Sequence, residues 1–146
     1  MSVGRQHEVH ALRVRLAETL ASGRDALDLA GRARGSFGDL NRLYGRIRAD
    51  GAALDAQLLL LLSERDTGVL RNELPVAERR VQRVVGLIRR LRSAVAAGLG
   101  DGTDDSLAAL TNDLDREITA LDAGLAELHT LNRRDAHPPL TGRIES

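Results

Sequence analysis

Apolar residues recur along this chain at helical spacing in four long stretches. In the first, Val9, Leu12, Leu16, Leu20, Leu27 and Ala30 form one seam, which predicts a helix over about 5–33. Gly35 can end it, and Ser36 with Asp39 resembles a capping box for the next helix. That second helix is predicted over about 37–66, where Leu40, Leu43, Tyr44, Ile47, Gly51, Leu54, Leu58 and Leu61 keep a near-heptad spacing. Gly51 with Ala52 and Ala53 makes a narrow waist suited to close approach by another helix.

Residues 67–74 read as a linker. Asn72 is a plausible cap, and Pro75 suits a first turn because its missing N–H needs no partner there. A kinked continuation of the second helix is the alternative. The third helix is predicted over about 75–98, with Val81, Val84, Val85, Ile88, Leu91 and Val95 as its stripe. Gly98, Gly100 and Gly102 end it. The fourth is predicted over about 104–132 on Leu107, Leu110, Leu114, Ile118, Leu121, Leu125, Leu128 and Leu131, the most regular seam in the chain.

Four rods of similar length joined by short connections predict an all-α, antiparallel, up-down-up-down four-helix bundle. A pair of hairpins completing its core by dimerisation is the rival. The bundle is expected as one domain over 1–132, with 133–146 as a flexible C-terminal tail.

One stretch breaks the regularity. Leu58 to Leu62 are five consecutive leucines. Successive helical residues turn by about 100°, so five in a row cannot share a stripe ~100–140° wide. Leu58 and Leu61 continue the seam, and Leu62 flanks it. Leu59 and Leu60 are the two an intramolecular core does not need, and a second chain is expected to cover them.

Composition agrees with helices. Apolar residues make up 42% of the 146 residues, mostly Leu, Ala and Val, with one Phe, one Tyr and no Trp. There is no Cys, which removes disulfides, thiolate metal sites and cysteine nucleophiles. Acids and bases balance at 21 each, so no net charge draws in nucleic acid or membrane. Every base is Arg, which suggests a GC-rich, bacterial coding genome. No apolar run approaches the ~20 residues of a membrane span and the N-terminus has no signal-like stretch, so a cytoplasmic location is expected.

Candidate chemistry is sparse. Arg79, Arg80, Arg83, Arg89, Arg90 and Arg92 lie largely off the third stripe and could bind phosphate groups of nucleic acid, nucleotide or anionic membrane. The next helix carries Asp104, Asp105, Asp113, Asp115, Glu117, Asp122 and Glu127, so pairing with that acidic face is the favoured reading. No aromatic lies near these arginines to stack bases. His7 and His10 begin the first helix and His129 lies near the end of the fourth. The bundle topology could gather them around a metal ion, although exposed polar residues at a helix end is the preferred account. No Walker lysine exists, no strand precedes a glycine fingerprint, and no serine has a catalytic neighbourhood. The expected function is non-enzymatic: an adaptor, assembly or regulatory subunit that self-associates in coiled-coil fashion or binds a helical partner through Leu59 and Leu60. No cofactor or resident metal is expected, and nucleic acid is the less favoured partner.

Overall fold

The computed structural model describes the backbone of residues 2–32, 37–100 and 104–136, and side chains over 4–32, 37–100 and 105–126. Four helices account for nearly all of it: α1 (Ser2–Arg32), α2 (Gly38–Ser63), α3 (Thr67–Leu99) and α4 (Asp104–Ala136). Contacts between residues remote in sequence give the directions. Arg5 and Arg15 of α1 reach Thr67 and Gln82 of α3, so α1 and α3 run parallel. Gln6 and Arg13 reach Leu62 and Asp55, so α2 runs antiparallel to α1. The topology is the expected up-down-up-down bundle.

Its cross-section is a diamond rather than a square. Helices α2 and α3 each touch the other three, whereas α1 and α4 make no contact with one another among the described residues. The core is continuous across all four helices. Every residue of the predicted α2 seam is buried, as is the whole α3 stripe. In α4, Leu114, Ile118 and Leu121 are buried, while Leu107, Leu110 and Leu125 pack at the edge. Leu128 and Leu131 lie outside the described side chains.

The α2–α3 connection differs from expectation. Only residues 64–66 separate the helices, and 67–74 are helical. Asp66 is the N-cap, accepting hydrogen bonds from the backbone N–H groups of Gly68 at 2.8 Å and Val69 at 3.4 Å. Pro75 therefore lies inside α3, not in its first turn, and Asn72 is not a cap. An interior proline forfeits a hydrogen bond and costs about 3 kcal/mol. The extra turns offset this by burying Leu70 and Leu74, each contributing about 1.5–3 kcal/mol. Pro75 is itself exposed, so water can solvate the carbonyl it leaves unpaired.

The start of α2 also differs. Its N-cap is Phe37, which makes no side-chain capping bond; Ser36 lies outside the described residues. Burial explains Phe37, which is 6% exposed. Its ring packs so closely on Gly98 that a Cβ there would meet Phe37 Cε1 at 2.6 Å. At the other end of the chain α4 continues past the predicted stop at Asn132 to Ala136. Residues 137–146, most of the expected tail, lie outside the described residues.

Glycines set the α1–α2 spacing. A Cβ on Gly51 would lie 2.7 Å from Leu20 Cδ1, the close approach expected of that waist. A Cβ on Gly23 would lie 2.9 Å from both Tyr44 Cε1 and Ile88 Cδ1. Tyr44 cannot easily retreat, because its hydroxyl donates to the Leu20 carbonyl at 2.7 Å. Leu20 is only partly buried and can rotate. Gly23→Ala is therefore expected to destabilise, since overpacking of about 1–3 kcal/mol outweighs the ~1 kcal/mol helix preference of Ala over Gly. Gly51→Ala is expected to be neutral, or stabilising by up to ~1 kcal/mol. Urea unfolding of both variants separates them, and equal losses would refute the distinction.

Candidate functional site: the outer face of the second helix

Leu59 and Leu60 are 46% and 70% exposed, while their neighbours Leu58 and Leu61 are 0% and 8% exposed. The five-leucine run thus divides as its geometry requires. The two outward leucines belong to a longer surface. Every fully exposed residue of α2 from Ala49 to its end is uncharged: Ala49, Ala52, Ala53, Ala56, Leu59, Leu60 and Ser63. Their spacing repeats three, one and three, which is a second helical stripe on the back of the first. Over about four turns, α2 presents apolar surface to the core and mainly apolar surface to solvent.

Helix α1 widens this face. Arg13 Nε donates to Asp55 Oδ1 at 2.8 Å and Nη2 to Oδ2 at 3.4 Å, a forked pair that fixes the antiparallel register. The guanidinium pKa is raised, first by that hydrogen bond. Val14, the next residue of α1, is 55% exposed. A shallow groove lined by Ala17, Leu20, Gly51 and Ala52, among others, runs between the two helices, bordered by Arg48.

The α3 arginines are dispersed. Arg90 pairs with Glu117 of α4, the interhelical pairing expected of the basic and acidic faces. Arg92 donates to the Ser22 carbonyl at 2.8 Å and the Ser22 hydroxyl at 2.9 Å. Arg80 reaches Gln57 Oε1 at 3.4 Å, and burial lowers its pKa. Arg79, Arg83 and Arg89 are exposed and make no ion pair among the described residues. At about 100° per residue, Arg89 points well away from the other two. His7 and His10 are exposed, and the His129 side chain lies outside the described residues. Since α1 and α4 do not touch in the described region, the juxtaposition that would gather these histidines is not seen. Among the described residues no three acids or histidines are placed to hold a metal ion, and no helix is long and apolar enough to cross a membrane.

One polar cluster had no signal in the sequence. Arg46 of α2 donates to Asp115 at 2.5 Å, Asp122 at 2.9 Å and Thr119 at 3.1 Å, all on α4. Asp50, one turn further along α2, has an Oδ2 that is buried without a hydrogen-bond partner. Burial pushes its carboxyl up to about 7, with Asp122 adding to the rise and Arg46 opposing it. Burial also disfavours the Asp122 carboxylate, but hydrogen bonds from Asp50 and Arg46 outweigh it and hold its pKa below the usual range. The pKa values of the two carboxyls are thus pushed apart, Asp50 upward and Asp122 downward, beside the Arg46 guanidinium. Only an i, i+4 Arg–Asp spacing in α2 hinted at it, and its partners lie more than sixty residues away.

No protein-family model, curated protein or solved structure matches this chain. The geometry alone defines a class: a four-helix bundle whose second helix is apolar on both faces over its C-terminal half.

The acid pair generates a pH prediction. Asp50 has a folded pKa above its unfolded value of 3.8. Its stabilisation is complete below about pH 4 and is lost as pH rises toward 7, because the unfolded chain has already released that proton. Asp122 acts oppositely and favours folding only above about pH 4. Asp50→Asn keeps a donor to Asp122 at every pH. The variant is therefore expected to lack the wild-type fall in unfolding free energy between about pH 4.5 and 7.5. Urea unfolding across that range tests this, and an unchanged slope in the variant would count against the shared proton.

Proposed function

We propose that this protein is a non-enzymatic helical-bundle interaction module, an adaptor, assembly or regulatory subunit that docks a helical protein partner through the outer face of α2. One observation carries the reading. An exposed helix face normally holds charged residues at most outward positions, and here Ala49 to Leu60 holds none. Contiguous exposed apolar surface bounded by polar residues marks contact sites, and removing Leu59 and Leu60 from water favours docking by about 25 cal/mol per Å². Asp50 lies near Asp122 of α4 and Arg46, with its Oδ2 buried and without a hydrogen-bond partner. Phosphate binding by α3 is the less supported alternative, because Arg80, Arg90 and Arg92 already serve Gln57, Glu117 and Ser22.

A photo-crosslinking residue at position 60 tests the proposal, with one at exposed Ser93 on α3 as control. A protein adduct in cells is expected at 60 and not at 93. Equal or absent labelling at the two positions would remove the reading. Leu60→Arg is expected to abolish docking while changing unfolding free energy by no more than about 0.5 kcal/mol, as befits a surface substitution.

A further inference from the structure

Helix α4 is attached differently from the other three. α1, α2 and α3 each touch the other two and so close a unit among themselves, whereas α4 lies on α2 and α3 alone among the described residues. Its described apolar anchors are few: Leu114, Ile118 and Leu121 are buried, and Leu107, Leu110 and Leu125 sit at the edge. Two polar seams complete the attachment. On the α3 side Arg90 pairs with Glu117. On the α2 side Arg46 holds Asp115 and Asp122, and Asp122 lies about 140° round α4 from Glu117. Asp50 is packed into the α2 seam one turn beyond Arg46, with its Oδ2 buried and unpaired. The charged groups acting on it are Asp122 of α4 and Arg46 of its own helix; α1 and α3 supply none among the described residues. One guanidinium thus serves a seam of three carboxyls, Asp50, Asp115 and Asp122. We infer that Asp50 makes α4 a pH-sensitive, separately opening element, seated on the α1–α2–α3 unit while that carboxyl is protonated and released more often as it ionises.

The cause is local. In the closed seam an ionised Asp50 holds a buried oxygen with no donor and faces the Asp122 carboxylate, both of which disfavour the charge. In the open state water solvates it. Burial and Asp122 accordingly push the Asp50 carboxyl up to about 7 from its ordinary 3.8. The folded value is the raised one, so the proton favours closure fully below about pH 4, and that contribution is lost as pH rises toward 7. Asp122 is held below its ordinary range, so above about pH 5 it is ionised whether α4 is seated or not and does not alter the trend. Opening exposes Leu114, Ile118 and Leu121 and the α2–α3 surface beneath them, and leaves the α1 contacts in place. The outer face of α2 takes no part, so this device stands independently of the docking reading.

Hydrogen exchange of the full chain, resolved along the sequence and expressed as protection factors, tests the device. Amides between Leu114 and Leu121 are expected to be less protected than those of the buried stripes of α1 and α3, and to respond weakly to urea, as a local opening does. Their protection is expected to fall by about tenfold or more between about pH 5 and pH 8. In Asp50→Asn that fall should be absent. In the wild type the Asp50 carboxyl carbon, followed by NMR, should titrate with a midpoint near 7, a readout that does not depend on the variant folding. Protection and urea dependence in α4 equal to those of α1 and α3 would overturn the separate opening. An α4 indifferent to pH, a fall retained in Asp50→Asn, or an Asp50 midpoint at its ordinary value would overturn the role of Asp50.

Discussion

A helix that must seat three neighbours at once has a single face left for solvent, and α2 is in that position. Its Tyr44 and Gly51 side meets α1, its Gln57 meets Arg80 of α3, and its Arg46 and Asp50 flank meets α4. α3 is also touched by all three others, so the α2–α3 pair is the short diagonal of the diamond. The outer helices depend on that pair, because they do not touch one another in the described region. Loosening α2 would therefore release both sides of the bundle, which makes the fit at Gly23 and Gly51 consequential.

The polar contacts are arranged to serve this packing. Each outer helix is keyed to α2 through one arginine: Arg13 of α1 pairs with Asp55, and Arg46 pairs with both Asp115 and Asp122 of α4. Partly exposed pairs contribute little to net stability. Their consequence here is register, since a forked guanidinium accepts few geometries. Arg92 and Tyr44 add to this by donating to α1 carbonyls at Ser22 and Leu20. Where α2 meets α4, burial and the neighbouring Asp122 both raise the Asp50 carboxyl, because two adjoining carboxyls favour retaining one proton.

The free face follows from the same geometry. With core, α1 flank and α4 flank occupied, charged residues would be costless only on the back of α2, and between Ala49 and Ser63 that is where they are missing. The apolar back is thus not required by the fold. A protein partner, as proposed above, would match its alanines and leucines in chemistry.

Helix number, type and inward stripes were legible in the sequence because they depend on local periodicity. The α2 seam from Leu40 to Leu61 and the α3 stripe from Val81 to Val95 could be read at the period of a single helix. The exposure of Leu59 and Leu60 followed from the impossibility of turning five adjacent residues to one side. The Ala49–Leu60 stripe was also present in the sequence, but alanine is ambivalent between core and surface, so its meaning depended on knowing which side was covered. Tertiary structure decided the rest. Pro75 and Asn72 suggested a helix start, yet burial of Leu70 and Leu74 with an Asp66 cap extends α3 backward, since distant packing outweighs a local propensity. The diamond cross-section, the separation of α1 from α4 and the approach of Asp50 to Asp122 depend on residues remote in sequence. No local pattern encodes such contacts: they depend on helix rotation and crossing, which are set by side chains such as Leu20, Tyr44 and Phe37 meeting the glycines of other helices.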